Sequence, residues 1–306
     1  MPSMSLPLAL SLLVSAAPAQ PAKTAEKGSE KSSKTDPASE QQAWHEERVR
    51  RLTAEDGWLS LVGLHWLKEG DSRVGSAPDS DIPLPPSAPP LVGTLTRHGT
   101  SLSFTPAKGV SVSAKDQPFT GGALHSDAAG EPDVLEVGTI QFHVISRQGK
   151  LGLRVRDTAS PARREFKGIP LFPYDPAWRV EARLEPGRGQ KSVAVPNVLG
   201  AVEDMPSPGT LVFRFQGKEY HLTPVIEPGD DQLFIIFADQ TNRTDTYAPG
   251  RFLYAPLPKN GKTVLDFNRA TNPPCAFTSF ATCPLPPRDN RLAVRVEAGE
   301  KRAGTH

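Results

Sequence analysis

The sequence predicts an all-β protein: a short N-terminal helix, a β-sandwich, then a larger antiparallel domain shaped as a barrel or a strongly bent sandwich. Three observations lead there. Proline occurs 32 times and glycine 25 times in 306 residues, against three methionines, a balance that favours many short strands and turns over a helical bundle. Short apolar runs recur between clusters of Gly, Pro, Asn and Asp, several of them alternating with period two. A single stretch, near residue 40, carries the capping and charge spacing of a helix. The formal net charge of +1 supplies no global field toward nucleic acid or an anionic membrane, so neither partner is expected.

Residues 5–19, SLPLALSLLVSAAPA, form an apolar run too short to span a bilayer. It ends in Ala17-Pro18-Ala19, an A-x-A site before Gln20. Residues 1–19 therefore read as a signal peptide and the protein as exported, periplasmic or secreted, with no stable membrane insertion. Residues 20–38 mix Lys, Glu, Ser and Pro without apolar periodicity and read as a disordered linker. Residues 39–160 are expected to hold the helix and the sandwich, and residues 161–306 the barrel-like domain.

Ser39 and Gln42 have capping-box spacing, and Glu46–Arg50 and Glu47–Arg51 are i,i+4 pairs. These predict a helix from about Glu40 to Ala54 with Trp44, Val49 and Leu52 as its apolar stripe, a solvated charged face, and Asp56-Gly57 as its end. Trp58, Leu61, Leu64, Trp66 and Leu67 then cluster around His65, read as a core or edge histidine. Short strands are expected at Leu102–Phe104, Val110–Val112, Leu135–Val137, Phe142–Ile145 and Leu151–Val155.

In the second half, Trp178, Val180, Ala182 and Leu184 alternate with charged residues, and Leu211, Phe213 and Phe215 repeat the pattern. Leu233–Phe237 is apolar throughout and should be covered on both faces. Further strands are expected at Tyr220–Leu222, Arg251–Tyr254, Val264–Phe267 and Leu292–Val296. Closure into a barrel would remove the exposed edges of so many antiparallel strands.

The chemistry concentrates between Tyr247 and Lys301. Cys275 and Cys283 enclose seven residues; in an exported protein a disulfide leads, with paired thiols or a metal site completed by His143 or His221 as alternatives. Asp239, Thr241, Tyr247, Arg251, Asp266, Asn268, Arg269, Asn272, Asn290 and Arg291 flank the predicted strands. Alternation through LDFNRA places Asp266 and Asn268 on one face, where Arg251 or Arg291 would meet the carboxylate. This set reads either as a ligand site or as an internal network pinning the proline-rich crossover, and Asp266 is the candidate catalytic base, alone or with Asp239. Glu227-Pro228-Gly229-Asp230-Asp231 reads as a solvated turn. There is no G-x-S-x-G, H-E-x-x-H, P-loop or G-x-G-x-x-G motif, and His45-Glu46-Glu47 continues to Val49, so no metal and no cofactor is expected.

Gly75 followed by Asp81-Ile82-Pro83-Leu84 resembles the opening of a forkhead-associated sandwich. The Arg that a phosphothreonine-binding member would place after that glycine is Ser76, so phosphopeptide binding is not expected. GWLSLVGLHWLKEG, FADQTNRTDTYAPGRFLYAPLP and above all LDFNRATNPPCAFTSFATCPLPPRDNRL with EAGEK resemble the bacterial and archaeal family called domain of unknown function 1684, over residues 40–301. Thr271 stands where that family's motif has Tyr. The resemblance implies the extent of the domain and the weight of the C-terminal motif, and no mechanism. The expected function is a binding module for a small polar or anionic ligand in the C-terminal domain. A hydrolase with a carboxylate base and an arginine, or a structural envelope protein, are the alternatives.

Overall fold

Proline fixes φ near the helical value and lacks the N–H that a first helical turn leaves unpaired. Pro37 accordingly opens the helix Pro37–Leu52, with Asp36 as N-cap. The computed structural model describes residues 36–187, 192–227 and 229–303; the expected signal peptide and most of the expected linker lie outside the described residues. The capping box at Ser39 is not used, because the helix has already begun two residues earlier, and Gln42 Nε2 donates instead to Glu46 Oε1 (2.8 Å). Glu47–Arg51 forms as expected (2.7 Å), while Arg50 also turns to Glu47. The charged face is not simply solvated. Gln41 is buried and donates to the Asn268 carbonyl (3.0 Å), and Arg48 reaches Glu300 (3.1 Å). The helix is a strap across the C-terminal motif.

Two sheets follow. One runs Leu61–Trp66, Lys150–Asp157, Ile140–Arg147, Leu135–Val137, Ser113–Ala114, Gln117–Pro118; the other runs Ile82–Pro83, Gly70–Gly75, Gly93–His98, Ser101–Pro106, Gly122–Ala123. Val74, Leu95 and Phe104 of the second face Leu135, Phe142, Leu153 and Val155 of the first in one apolar core, with Phe104 edge-on to Phe142 at 5.4 Å. This is the predicted sandwich. The Val110–Val112 strand is absent, because the chain there is still leaving the turn closed by Val110 N–H on Ala107 O (3.1 Å). Pairing begins only at Ser113, opposite Glu136.

The second half is built on a four-stranded sheet in the order Lys218–Leu222, Gly209–Phe215, Arg179–Pro186, Lys262–Asp266. A ribbon of Gln232–Phe237 and Arg251–Pro256 packs against it. Leu233, Ile235 and Phe237 enter that core while Phe234 and Ile236 enter another with Phe252 and Cys283, so this strand is covered on both faces. Trp178 stacks on Phe215 at 4.0 Å. The sheets do not close into a barrel. Among the described residues the ribbon forms no ladder with the four-stranded sheet, and the gap is filled by side chains of an irregular tail, Leu292, Val296 and Ala298. The predicted Leu292–Val296 strand is that tail, tied by the Ala238–Arg291 bridge. Of the described residues 42% are strand and 13% helix.

Gly299 shows how tightly the tail is laid down. Its φ is +77°, and a Cβ there would meet the Ala270 carbonyl at 2.5 Å and that of Phe267 at 2.8 Å, so only glycine lets Glu300 N–H reach Ala270 O (2.9 Å). Residues from Asp36 onward form one compact unit. Among the described residues no helix is long and apolar enough to cross a membrane.

Candidate functional site

Arg251 does not line a ligand site. It is fully buried, and its Nη2 donates to Asp239 Oδ2 (2.9 Å) and the Val296 carbonyl (2.8 Å) while Nη1 donates to the Ala298 carbonyl (2.5 Å). Asp239 is saturated by Thr241 N–H (2.7 Å), Thr241 Oγ1 (2.6 Å) and Val296 N–H (3.2 Å). Burial draws the Arg251 guanidinium down against the opposing pull of Asp239. The pair clamps the end of the ribbon to the tail.

The other expected residues divide among separate places. The strand ends at Asp266, so alternation stops there and Asn268 turns inward on a 3₁₀ turn. Asp266 Oδ1 caps that turn, accepting from Asn268 N–H (3.2 Å) and Nδ2 (3.0 Å), and Asn268 ties down both backbone groups of Asp175 (3.1 and 2.9 Å). Among the described residues the one charged partner of the Asp266 carboxylate is the exposed Arg269, at 3.8 Å. Asn290 holds Thr223 N–H (2.7 Å) and the Thr223 and Ile236 carbonyls (2.9 Å each). Arg291 is exposed, so Arg251, Asp266, Asn268 and Arg291 do not converge.

Tyr247 donates to the Cys275 carbonyl (3.0 Å), and burial, then the two cysteines, push its phenol up to about 12. The expected disulfide is absent: Cys275 and Cys283 are free thiols. Cys275 N–H donates to Cys283 Sγ (3.1 Å) and the Cys275 thiol to Ala281 O (3.4 Å); these bonds seat the sulfurs side by side without joining them. Their mutual hydrogen bond lowers the Cys275 thiol and raises that of Cys283. Among the described residues no three His, Cys, Asp or Glu side chains group as a metal site.

Of the expected ligand-binding residues, Arg269 lines a groove beside the helix, and Asn272 lines a neighbouring cavity. Asn272 is fully buried, donates through Nδ2 to Lys301 O (2.8 Å), and leaves its Oδ1 without a partner among the described residues. It lines a cavity of about 280 Å³ between the helix, the outer face of the six-stranded sheet and the ribbon. Three arginines line it too: Arg48 from the helix, and Arg147 and Arg154 from neighbouring strands. Four aromatic residues, Trp58, Phe234, Phe252 and Tyr254, also line it. Larger grooves adjoin it on both sides, one sharing Arg48 and Tyr254, the other Arg147 and Glu227.

The three arginines are not equivalent. Arg48 is engaged by Glu300 and by the Asn272 carbonyl (2.9 Å). Glu300 is fully buried; burial raises its carboxyl, opposed by Arg48 and by Asn272 N–H (2.6 Å). Arg147 pairs with Asp127 (2.7 Å). Arg154 is 6% exposed, lies over the Trp58 ring at 5.5 Å, and has no hydrogen bond or ion pair among the described residues; its Nε is an orphan donor. Burial, then Arg147 and Arg156, draw its guanidinium down to about 10. It stays charged at neutral pH, but at a cost on the order of 3 kcal/mol.

Arg48, Arg147, Arg154, Trp58 and Glu227 escaped the sequence reading. Alternation in KLGLRVRD puts Arg154 and Arg156 on an outer face, which reads as wet; the C-terminal segment covers that face. Glu227, read as part of a solvated turn, is half-buried in the cavity wall, where burial, then Asp230 and Glu203, raise its carboxyl. The one available signal was three arginines, Arg147, Arg154 and Arg156, on adjoining strands.

Residues 164–301 match the family described as "Protein of unknown function (DUF1684)". Among solved structures, an uncharacterised protein of Haloarcula marismortui, determined in solution, is 31% identical over 46% of this chain and 80% of that one, with a TM-score of 0.39. The FhaA FHA domain, solved in complex with the intracellular domain of Rv3910, is 15% identical over 30% of this chain and 97% of that one, at a TM-score of 0.22. The Rv0020c FHA structure is 16% identical over 31% and 91% of the two chains, also at 0.22. No curated protein matches the chain. Over residues 164–301 the chain belongs to the DUF1684 family.

Proposed function

We propose that this protein is an exported binding module whose ligand is a small anion, held in the cavity between the helix, the sandwich and the ribbon. The apolar run at residues 5–19 supports export. Arg154 supports the anion: a charged, buried guanidinium beside two other arginines, with its Nε facing no protein acceptor among the described residues. Such a group is costly unless something pairs with it, and a carboxylate, phosphate or sulfate would accept from its planar fork. The site draws on both halves of the chain rather than on the C-terminal domain alone.

The reading is tested by calorimetry and thermal unfolding with phosphate, sulfate and small carboxylates. At least one should bind the wild type and raise its unfolding temperature, and Arg154→Gln should remove that binding. The unliganded variant should unfold at the same temperature as the wild type or higher, since an uncompensated charge has been removed. An Arg154→Gln protein that loses several degrees and shows no altered binding would mean that Arg154 is structural.

A further inference from the structure

We infer that the ligand of this cavity is a zwitterion, or an anion carrying a separate hydrogen-bond donor, with its anionic end on Arg154 and its donor end on Glu227. This rests on the anion-binding reading and adds a second recognition point to it. Glu227 lines the same chamber as Arg48, Arg147 and Arg154, and also the adjoining groove that contains Arg147. Its carboxylate forms no ion pair with any of them and no hydrogen bond among the described residues; its backbone carbonyl accepts from Asp230 N–H (3.0 Å) and closes the turn. A carboxylate and a guanidinium thus share one chamber without neutralising each other.

Burial strips water from both groups: Arg154 is 94% covered and the Glu227 carboxyl is raised chiefly by desolvation. Each favours a partner of opposite charge. A simple anion would satisfy Arg154 while adding a like charge to the chamber of Glu227. A molecule with a carboxylate or phosphate at one end and an ammonium or hydroxyl at the other satisfies both. The aromatic wall suits such a ligand, because Phe234 and Tyr254, stacked at 4.9 Å, present ring surface to an apolar body or an ammonium group. At about 280 Å³ the chamber lies just below the range of sites for drug-sized ligands, which favours a molecule the size of an amino acid.

Matched pairs differing by one ammonium group test this: 3-phenylpropionate against phenylalanine, and valerate against 5-aminovalerate, titrated into the full chain at neutral pH. The ammonium-bearing member of at least one pair should bind about tenfold tighter. In the isosteric variant Glu227→Gln that preference should shrink to about twofold or less, while Arg154→Gln should abolish binding of both members. Equal affinity within both pairs, or a preference unchanged in Glu227→Gln, overturns the zwitterion and leaves the anion site standing. Failure of every carboxylate, phosphate and sulfate to bind the wild type removes both readings together.

Discussion

Arg154 and Arg251 are both buried guanidiniums, and what each meets decides its role. Arg251 has an ion-pair partner in Asp239 and gives its Nη groups to three carbonyls of the tail, with only its Nε left without an acceptor among the described residues, so removing either partner strands the other charge in an apolar core. Arg251→Ala and Asp239→Asn should each lower stability by about 3–5 kcal/mol, read as a fall in urea midpoint at constant slope. Arg291→Ala, at an exposed position, should cost no more than about 0.5 kcal/mol. Equal losses in all three would contradict the division between clamp and surface. The sequence announced that polar groups between Tyr247 and Lys301 were being held, because so many Arg, Asp and Asn sit among apolar residues there. It could not say by what, since their partners are largely backbone carbonyls brought in by an irregular tail. Asn272 alone of that set reaches the cavity with an acceptor to spare.

At the scale of the element, alternation is legible and coverage is not. The strand Ile140–Arg147 sends Phe142 and Val144 into the sandwich core as its pattern requires. Its other face, with His143 opposite Arg154, looks wet until the C-terminal segment packs on it. That packing has a titration consequence. His143 is buried and its imidazole is drawn down from 6.5 to about 4 by desolvation, then by Arg156, Arg154 and Arg147, against the opposing pull of Asp127. The fold keeps it neutral, whereas the unfolded chain takes up a proton below about 6.5, so the unfolded state binds more protons between those values. Stability should therefore fall as pH drops from about 6.5 toward 4, by up to about 3 kcal/mol from this residue. Urea midpoints at pH 7.5 and 4.5 measure it: His143→Phe should show a clearly smaller acid loss than wild type. An identical loss in both would assign the sensitivity to carboxylates elsewhere. The closed barrel failed as an expectation for a related reason, since strand patterns reveal which residues face a core but not whether a tail or another strand fills the last gap.

Across the whole molecule, the seam between the two apolar cores is polar as well as packed. Leu52 and Leu59 sit with Ile169, Ala276 and Phe277 in a small core of their own. Ser160 Oγ donates to Leu59 O (2.6 Å), Thr278 Oγ1 to Leu61 O (3.1 Å) and Arg163 Nε to Thr53 O (2.5 Å). Arg48 is the donor that closes this seam, because the fully buried Glu300 loses its one ion pair among the described residues if the helix lifts away. Neither half can open without exposing an unpaired charge in the other, which couples their unfolding. The described chain should consequently unfold in one cooperative step, with far-UV circular dichroism and tryptophan fluorescence tracing the same urea curve. Trp44, Trp58 and Trp66 report the helix and sandwich, and Trp178 the C-terminal sheet. Arg48→Ala should shift that single curve to lower urea by about 3 kcal/mol or more, moving both probes together. Two separated transitions in the wild type, or an Arg48→Ala shift confined to one probe, would mean that the halves fold independently and that the anion cavity between them is a gap rather than a built site.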